Sequence, residues 1–421
     1  MKTTLFSLQR SEFRSHVNHA LHPREEIDQP DQLKDRDKEL ESLKDCFETP
    51  GAQGFLWGMK GVGKTSLAHT ACEAHDDIVK KVAAVACERD TSFTGLLMDI
   101  TRKVVHGGHV KLDRNKKGAK INLFGLEISG ETNSVSGELQ IDSVNHAVDL
   151  FSTILGQHQF SGTIPVVIVD EFDRLENKET KRKITDFVKA LSVGGSKVKL
   201  VICGIANSLN ELIELHASSP RYLHQVEVKP LTFGGMLQIV DDIEQKFDLA
   251  FSKGQRYRIA QISDGYAHFT HLMLKDILME AHRTKFDGGD VPQQLFKDGI
   301  VNSVKQAEAH LVEAYKKAVM RGTDINTEIL WSVAKGPHLG RQFKEIRDDY
   351  LEIMSGRENR TVADEQKVRN SLNAMCEEPC GCILTKKRTG WYEFSDPVVR
   401  SYVRLVAESE GADLGEYNFR D

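Results

Sequence analysis

The stretch Gly58-Met-Lys-Gly-Val-Gly-Lys-Thr65 constrains this chain more than any other. A glycine, four residues and then Gly-Lys-Ser/Thr is the pattern of a phosphate-binding loop. Gly58, Gly61 and Gly63 permit backbone angles that a Cβ disfavours, so the N–H groups around Val62 can turn toward an anion. A helix beginning near Lys64, with Ser66 in its first turn, would aim free N–H groups and a positive dipole end at the same anion. Lys64 reaches β- and γ-phosphates as a point charge, and the Thr65 hydroxyl suits Mg²⁺. The flanks agree with this reading. Phe55-Leu-Trp57 reads as a short buried strand, and Ser66-Leu-Ala-His-Thr-Ala-Cys-Glu73 as the helix.

The 421 residues allow roughly two to four domains. No apolar run approaches the ~20 residues of a membrane span. The opening Met1-Lys-Thr-Thr-Leu-Phe-Ser-Leu-Gln-Arg10 is too soon charged for a signal peptide. Seven cysteines without a framework fit free thiols in a reducing compartment, so a cytoplasmic protein without a membrane partner is expected. A net charge of -6 argues against a general nucleic-acid coat but leaves room for a local basic patch.

Residues 1–30 are polar and proline-punctuated and are expected as an extended arm. An amphipathic helix follows, with Leu40, Leu43 and Phe47 on one face. After the loop helix, Val79–Cys87 reads as a strand and Phe93–His106 as a helix. Residues 107–141 break the α/β rhythm and alternate apolar and polar residues between glycines, which predicts a β-hairpin insertion. Lys111, Arg114, Lys116, Lys117 and Lys120 lead into it and offer contacts to a nucleic-acid backbone, although a charge run of this kind is commonly a solvated loop.

A second motif lies in Ile164-Pro-Val-Val-Ile-Val-Asp-Glu171. Such a β-branched run is a buried parallel strand delivering two carboxylates at its C-terminal edge. At that edge Asp170 would hold Mg²⁺ through its water shell, and Glu171 would orient and polarise an attacking water. Lys197–Ser208 is expected as the next parallel strand, which would bring Asn207 to the same edge. Arg221, in Ser219-Pro-Arg221, sits where an exposed guanidinium can reach a neighbouring subunit's nucleotide.

Taken together, Gly58–Thr65, Val166–Glu171, Gly204-Ile-Ala-Asn-Ser-Leu209 and Ser219-Pro-Arg221 resemble the AAA+ ATPases of the origin-recognition and initiator-type group and its bacterial relatives. Leu33–Leu40 is similar to the box that precedes the loop in that group. The resemblance covers about residues 30–285 well and the C-terminus loosely. It implies an α/β fold: a P-loop AAA+ core of parallel sheet with flanking helices over 31–231, a helical lid over 232–285, a linker helix over 286–325 and a C-terminal winged helix over 326–421. It implies a nucleotide at a subunit interface of a homo-oligomer, with Asn207 as first sensor and Arg221 acting in trans. The family's second sensor is an arginine in the segment written here as Gly265-Tyr-Ala-His-Phe-Thr-His-Leu272, where this chain has His268. A histidine is mostly uncharged near pH 7, so lid-driven catalysis is expected to be weak or His268 to be a packing residue.

From Thr327 onward the pattern predicts three helices, a hairpin turning at Thr389-Gly390 and a last helix from Pro397, the layout of a winged helix. Bound to double-stranded DNA, Lys367 and Arg369 and the wing's Lys386, Lys387 and Arg388 would meet phosphates. A packing or protein-contact role is the alternative. Cys376, Cys380 and Cys382 lack the fourth ligand that zinc needs. The expected protein is therefore a slow ATPase with ATP and Mg²⁺ as ligands, acting as an oligomeric switch on DNA or a DNA-bound partner. The alternative is a signalling NTPase, as in phage defence, working through a separate effector protein.

Overall fold

The structure is a computed structural model that describes residues 5–23, 27, 29–109, 120–129, 132–141, 143–156, 162–194, 196–205, 222–320, 325–357, 360–412 and 414–415. It divides into two compact units, one made of residues 26–59 and 63–229, the other of 1–25, 60–62 and 230–421.

The first residues carry a helix, α1 (Arg10–Ala20), where an extended arm was expected. Phe13 and Val17 sit one turn apart and are fully buried, which gives this polar stretch an apolar face to dock. Their partners are in the same unit: Phe13 stacks on His282 at 4.6 Å and meets Phe247 edge-on at 5.9 Å.

The unit of residues 26–59 and 63–229 holds α2 (Asp37–Glu48), β1 (Gln53–Trp57), α3 (Lys64–Ala74), β2 (Val79–Ala86) and α4 (Phe93–His106). Next come three short strands, β3 (Lys120–Leu123), β4 (Leu126–Ser129) and β5 (Ser134–Gly137). They are followed by α5 (Val144–Ile154), β6 (Ile164–Asp170), α6 (Lys178–Val193), β7 (Lys199–Gly204) and β8 (Leu223–Glu227). Among the described residues the main sheet has the order β2-β6-β7-β1-β8, and every pairing is parallel. A parallel sheet needs both faces covered, and β6 shows it: Pro165 to Val169 are all buried. Where a two-stranded hairpin was expected, β3, β4 and β5 form a three-stranded antiparallel sheet. Leu126 and Ile128 turn one face of β4 into the core, beside Leu97 and Phe151.

Buried polar groups lock the sheet. The Lys199 amine is 3% exposed and donates to the carbonyls of Cys46 at 3.0 Å, Ala52 at 2.9 Å and Thr49, at and just beyond the C-terminus of α2. All three donors of the ammonium are thereby used, and burial lowers its pKa. Gln53 accepts from the Leu200 N–H at 2.6 Å, which ties β1 to β7 at its first residue.

The second unit continues with α7 (Phe233–Phe247), β9 (Leu249–Ala250), α8 (Lys253–Ser263), α9 (Ala267–Arg283), β10 (Gly289–Asp290) and α10 (Gln293–Gln306). The linker helix expected over 286–325 is two helices, because Ala307 is extended and α11 (Ala309–Met320) starts afresh. The C-terminal part comprises α12 (Asn326–Lys335), β11 (Arg341–Gln342), α13 (Phe343–Ser355), α14 (Glu365–Ala374), β12 (Leu384–Arg388), β13 (Trp391–Phe394) and α15 (Pro397–Ser409). Three helices and an antiparallel β11-β13-β12 sheet are compatible with the expected winged helix. The turn of the wing falls at Gly390, whose φ is 75°.

Within this unit Asp264, directly after α8, is held by two arginines of α15. Arg400 binds it with two bonds of 2.6 and 2.7 Å and Arg404 with one of 2.9 Å. Arg404 is 1% exposed and also donates to the carbonyls of Gln261, Ala334 and Gly336, each at 2.8 Å. One guanidinium thus caps the ends of α8 and α12 and satisfies a carboxylate, which a buried arginine requires.

Candidate functional site

The site grows from the end of β1. The chain leaves Trp57 and reaches α3 through Gly61 at φ 80° and Gly63 at φ 92°. Gly63 is the N-cap of α3, and no atom lies within 4 Å of where its Cβ would be. Glycine is therefore required there for its left-handed backbone rather than for space. Val62 is buried between the two glycines. Lys64, the first residue of α3, folds back and donates to the carbonyls of Gly58 at 3.3 Å and Met59 at 2.9 Å. Burial lowers its pKa, opposed by the charges of Asp173 and Asp170. The amine thus sits over the loop at the helix N-terminus, where a phosphate can replace the two carbonyls as its partner.

Thr65 and Asp170 come together from α3 and the C-terminal end of β6. The Thr65 hydroxyl donates to Asp170 Oδ2 at 2.6 Å, and Asp170 Oδ1 accepts from the Glu171 N–H at 2.7 Å. A hydroxyl and a carboxylate at one point are hard oxygen donors of the kind Mg²⁺ takes alongside its waters, so these residues fit that ion. Glu171 has φ 52°, a left-handed conformation uncommon for a non-glycine residue and a frequent mark of a functional position. Its carboxylate pairs with Arg174 at 2.8 Å on the surface. Because β7 lies between β1 and β6, its end is aimed between Lys64 and Asp170. Described residues stop at Ile205 there, so Asn207 lies outside them, as does Arg221.

Two other expected residues have partners of their own. The Ser66 hydroxyl accepts from the Ile27 N–H at 3.2 Å, and Thr70, one turn on, donates to the Ile27 carbonyl at 3.1 Å. Ser66 and Thr70 therefore hold Ile27 against α3. His268 lies against the Pro23 carbonyl through Nδ1, faces Glu308 at 3.7 Å through Nε2, and packs edge-on against Phe269. All these partners are in its own unit.

Sequence reasoning missed Arg36 in the segment before the loop. It is 4% exposed and donates to the Lys229 carbonyl at 2.6 Å, beyond β8, while Glu39 lies 3.5 Å away. It also missed Asp173 and Arg174, which lie two and three residues beyond Glu171. The acidic and basic letters so close behind that pair were the available signal.

Of the basic residues expected to meet nucleic acid, Lys111, Arg114, Lys116 and Lys117 lie outside the described residues, and Lys120 opens β3. In the winged-helix layout Arg369 stacks on Phe343 at 3.8 Å and pairs with Glu365 at 3.1 Å. Arg388 covers Trp391 at 4.0 Å, and Lys387 pairs with Glu393 at 3.0 Å. Lys386 lies 3.4 Å from Asn373, and Lys367 is exposed on α14. Among the described residues no helix is long and apolar enough to cross a membrane.

The fold is similar to that of the Walker-type ATPase PABY2304 of Pyrococcus abyssi, with a TM-score of 0.52 and 17% identity over 90% of this chain and 99% of that one. Lower scores relate it to Cdc6p of Pyrobaculum aerophilum (0.45, 15% identity, 90% and 95% coverage) and to the ADP form of ORC2 of Aeropyrum pernix (0.46, 13% identity, 94% and 98% coverage). No curated protein matches the chain. Residues 32–202, which contain Lys64, Thr65, Asp170 and Glu171, match the family described as AAA ATPase domain.

Proposed function

We propose that this protein binds and slowly hydrolyses ATP with Mg²⁺, assembles with copies of itself through Arg221, and acts as a switch on DNA or a DNA-bound partner. The observation that carries the nucleotide part is the 2.6 Å bond between Thr65 and Asp170, residues 105 apart in sequence and meeting beside the Lys64 amine. When bound, Mg²⁺ would offset negative charge on the β- and γ-phosphates. Lys64 exchanges its two loop carbonyls for phosphate oxygens, and the N–H groups of the loop and of α3 surround the same anion. Glu171 leaves Arg174, orients a water and takes its proton. Asn207, just past the end of β7, positions that water, and Arg221 of an adjacent copy answers charge on the transferring phosphoryl group. His268, held by Pro23 and Glu308, serves lid packing in this scheme. The winged-helix layout and the exposed Lys367, Lys386 and Arg388 support an action on DNA.

The test pairs Lys64→Ala with Glu171→Gln. Calorimetry should show no ATP binding for the first and retained binding for the second, with phosphate release lost in both. Wild-type turnover by Glu171→Gln would overturn the assignment of the base. DNA binding that rises with ATP supports a switch on DNA, whereas a co-purifying effector with no DNA binding points to the signalling alternative.

A further inference from the structure

A sizeable cavity in the second unit is lined by residues outside the loop motif. It is a groove of about 1010 Å³ between α1 on one side and α9 and α10 on the other. Its cations outnumber its carboxylates six to three, in a chain whose net charge is -6. Arg10, Arg14 and Asn18 form one wall at four-residue spacing along α1, flanking the face that buries Phe13 and Val17. Lys275 and Lys305 face them from α9 and α10. Of the carboxylates, Glu280 is buried and already occupied, bonded by Arg283 at 2.8 Å and by Asn302 at 3.4 Å.

The walls are also held in place. His282, stacked on Phe13, contacts the Leu8 carbonyl through Nε2 at 2.9 Å, and His271 accepts from the His22 N–H at 3.1 Å. Both ends of α1 are therefore pinned to α9, and the cationic stripe is presented on a rigid element. Leu272 and Met279 on α9 add apolar surface to the lining.

We propose that this groove binds phosphate esters, with Arg10 and Arg14 taking phosphate oxygens from one wall and Lys305 from the other. Guanidinium forks match phosphate oxygens in pairs, and a rigid cationic wall does not have to be ordered on binding. The volume accommodates a nucleotide-sized unit, and the open groove allows a strand to run through it. A free nucleotide and a nucleic-acid backbone offer the same chemistry, and the experiment separates them. The site is independent of the ATP reading, because none of its residues belongs to the loop or to β6.

The experiment uses the full chain carrying Lys64→Ala, so that the loop motif does not contribute. Binding of a labelled oligonucleotide, single-stranded and duplex, and of a labelled mononucleotide is followed by fluorescence anisotropy across a salt series. Arg10→Glu with Arg14→Glu should weaken binding about tenfold or more and reduce the salt slope by about 2 for an oligonucleotide. Lys305→Glu, on the opposite wall, should act in the same direction and guards against a local effect on α1. Loss confined to the mononucleotide identifies a free nucleotide as ligand, and loss confined to the oligonucleotides identifies a strand. Unchanged affinity and salt slope in both variants, with thermal melts like the parent's, would overturn the proposal, as would no binding of any probe to the parent.

Discussion

The Thr65 hydroxyl donates to Asp170 at 2.6 Å, joining the first turn of α3 to the last residue of β6. The bond sets the spacing between the loop helix and the strand that bears the carboxylates. Thr65→Ala should lower Mg²⁺-dependent ATP affinity by about tenfold or more, the worth of a bond to a charged group, while Thr65→Ser stays near wild type. Titration calorimetry with and without Mg²⁺ checks this. Equal losses in Mg²⁺ and in EDTA would separate the hydroxyl from the ion.

Lys199→Met keeps the length and apolar stem of the side chain but leaves the carbonyls of Cys46, Thr49 and Ala52 without their shared donor. The expected cost is about 2–4 kcal/mol, because buried carbonyls lose a charge-assisted partner. Chemical denaturation followed by fluorescence measures it. A change under about 0.5 kcal/mol, the range of an ordinary surface substitution, would show that the cap does not stabilise the sheet.

Arg404→Met should destabilise the second unit by about 3–5 kcal/mol, since Asp264 loses one cation and the carbonyls of Gln261, Ala334 and Gly336 each lose a donor. Arg404→Lys should recover only part of this, because one ammonium cannot span the same fork. Thermal melts of the full chain rank the three proteins, and equal melting of the lysine variant and wild type would contradict the fork.

Burial, with His22 and His268 nearby, pushes the pKa of His271 down from 6.5 to about 3. Its neutral ring accepts the His22 N–H, and protonation removes that acceptor. Below pH 6.5 the unfolded chain gains a proton that the native chain refuses. Stability therefore falls as pH drops from about 6.5 toward 3, by roughly 1.4 kcal/mol per unit. His271→Asn, which keeps an acceptor but does not titrate, should flatten that limb. Equal slopes for both proteins between pH 6 and 4 would be the contrary result.

Local chemistry was readable in advance. Glycines at 61 and 63, Lys64 and Thr65 behind them, and a β-branched run closing in Asp170-Glu171 each carry their own conformational or chemical reason. The helix Phe93–His106 and the wing's turn at Gly390 follow from periodicity and a positive φ in the same way. The docked α1 was not readable, because the two apolar residues that seat it, Phe13 and Val17, look sparse until Phe247 and His282 are beside them. The break at Ala307 carries no proline or glycine to announce it, and β5 is a short polar strand with little alternation.

By itself, then, the sequence determined the loop, the carboxylate strand and the elements with plain periodicity, since each depends on residues within about two turns of one another. Only the tertiary structure decided where the buried cations go. Lys199 reaches α2 across some 150 residues, Arg404 reaches Gln261 across 143, and Arg36 reaches Lys229 across 193. A buried charge must find acceptors wherever packing brings unpaired carbonyls, and that location is a property of the assembled core rather than of any neighbouring letters.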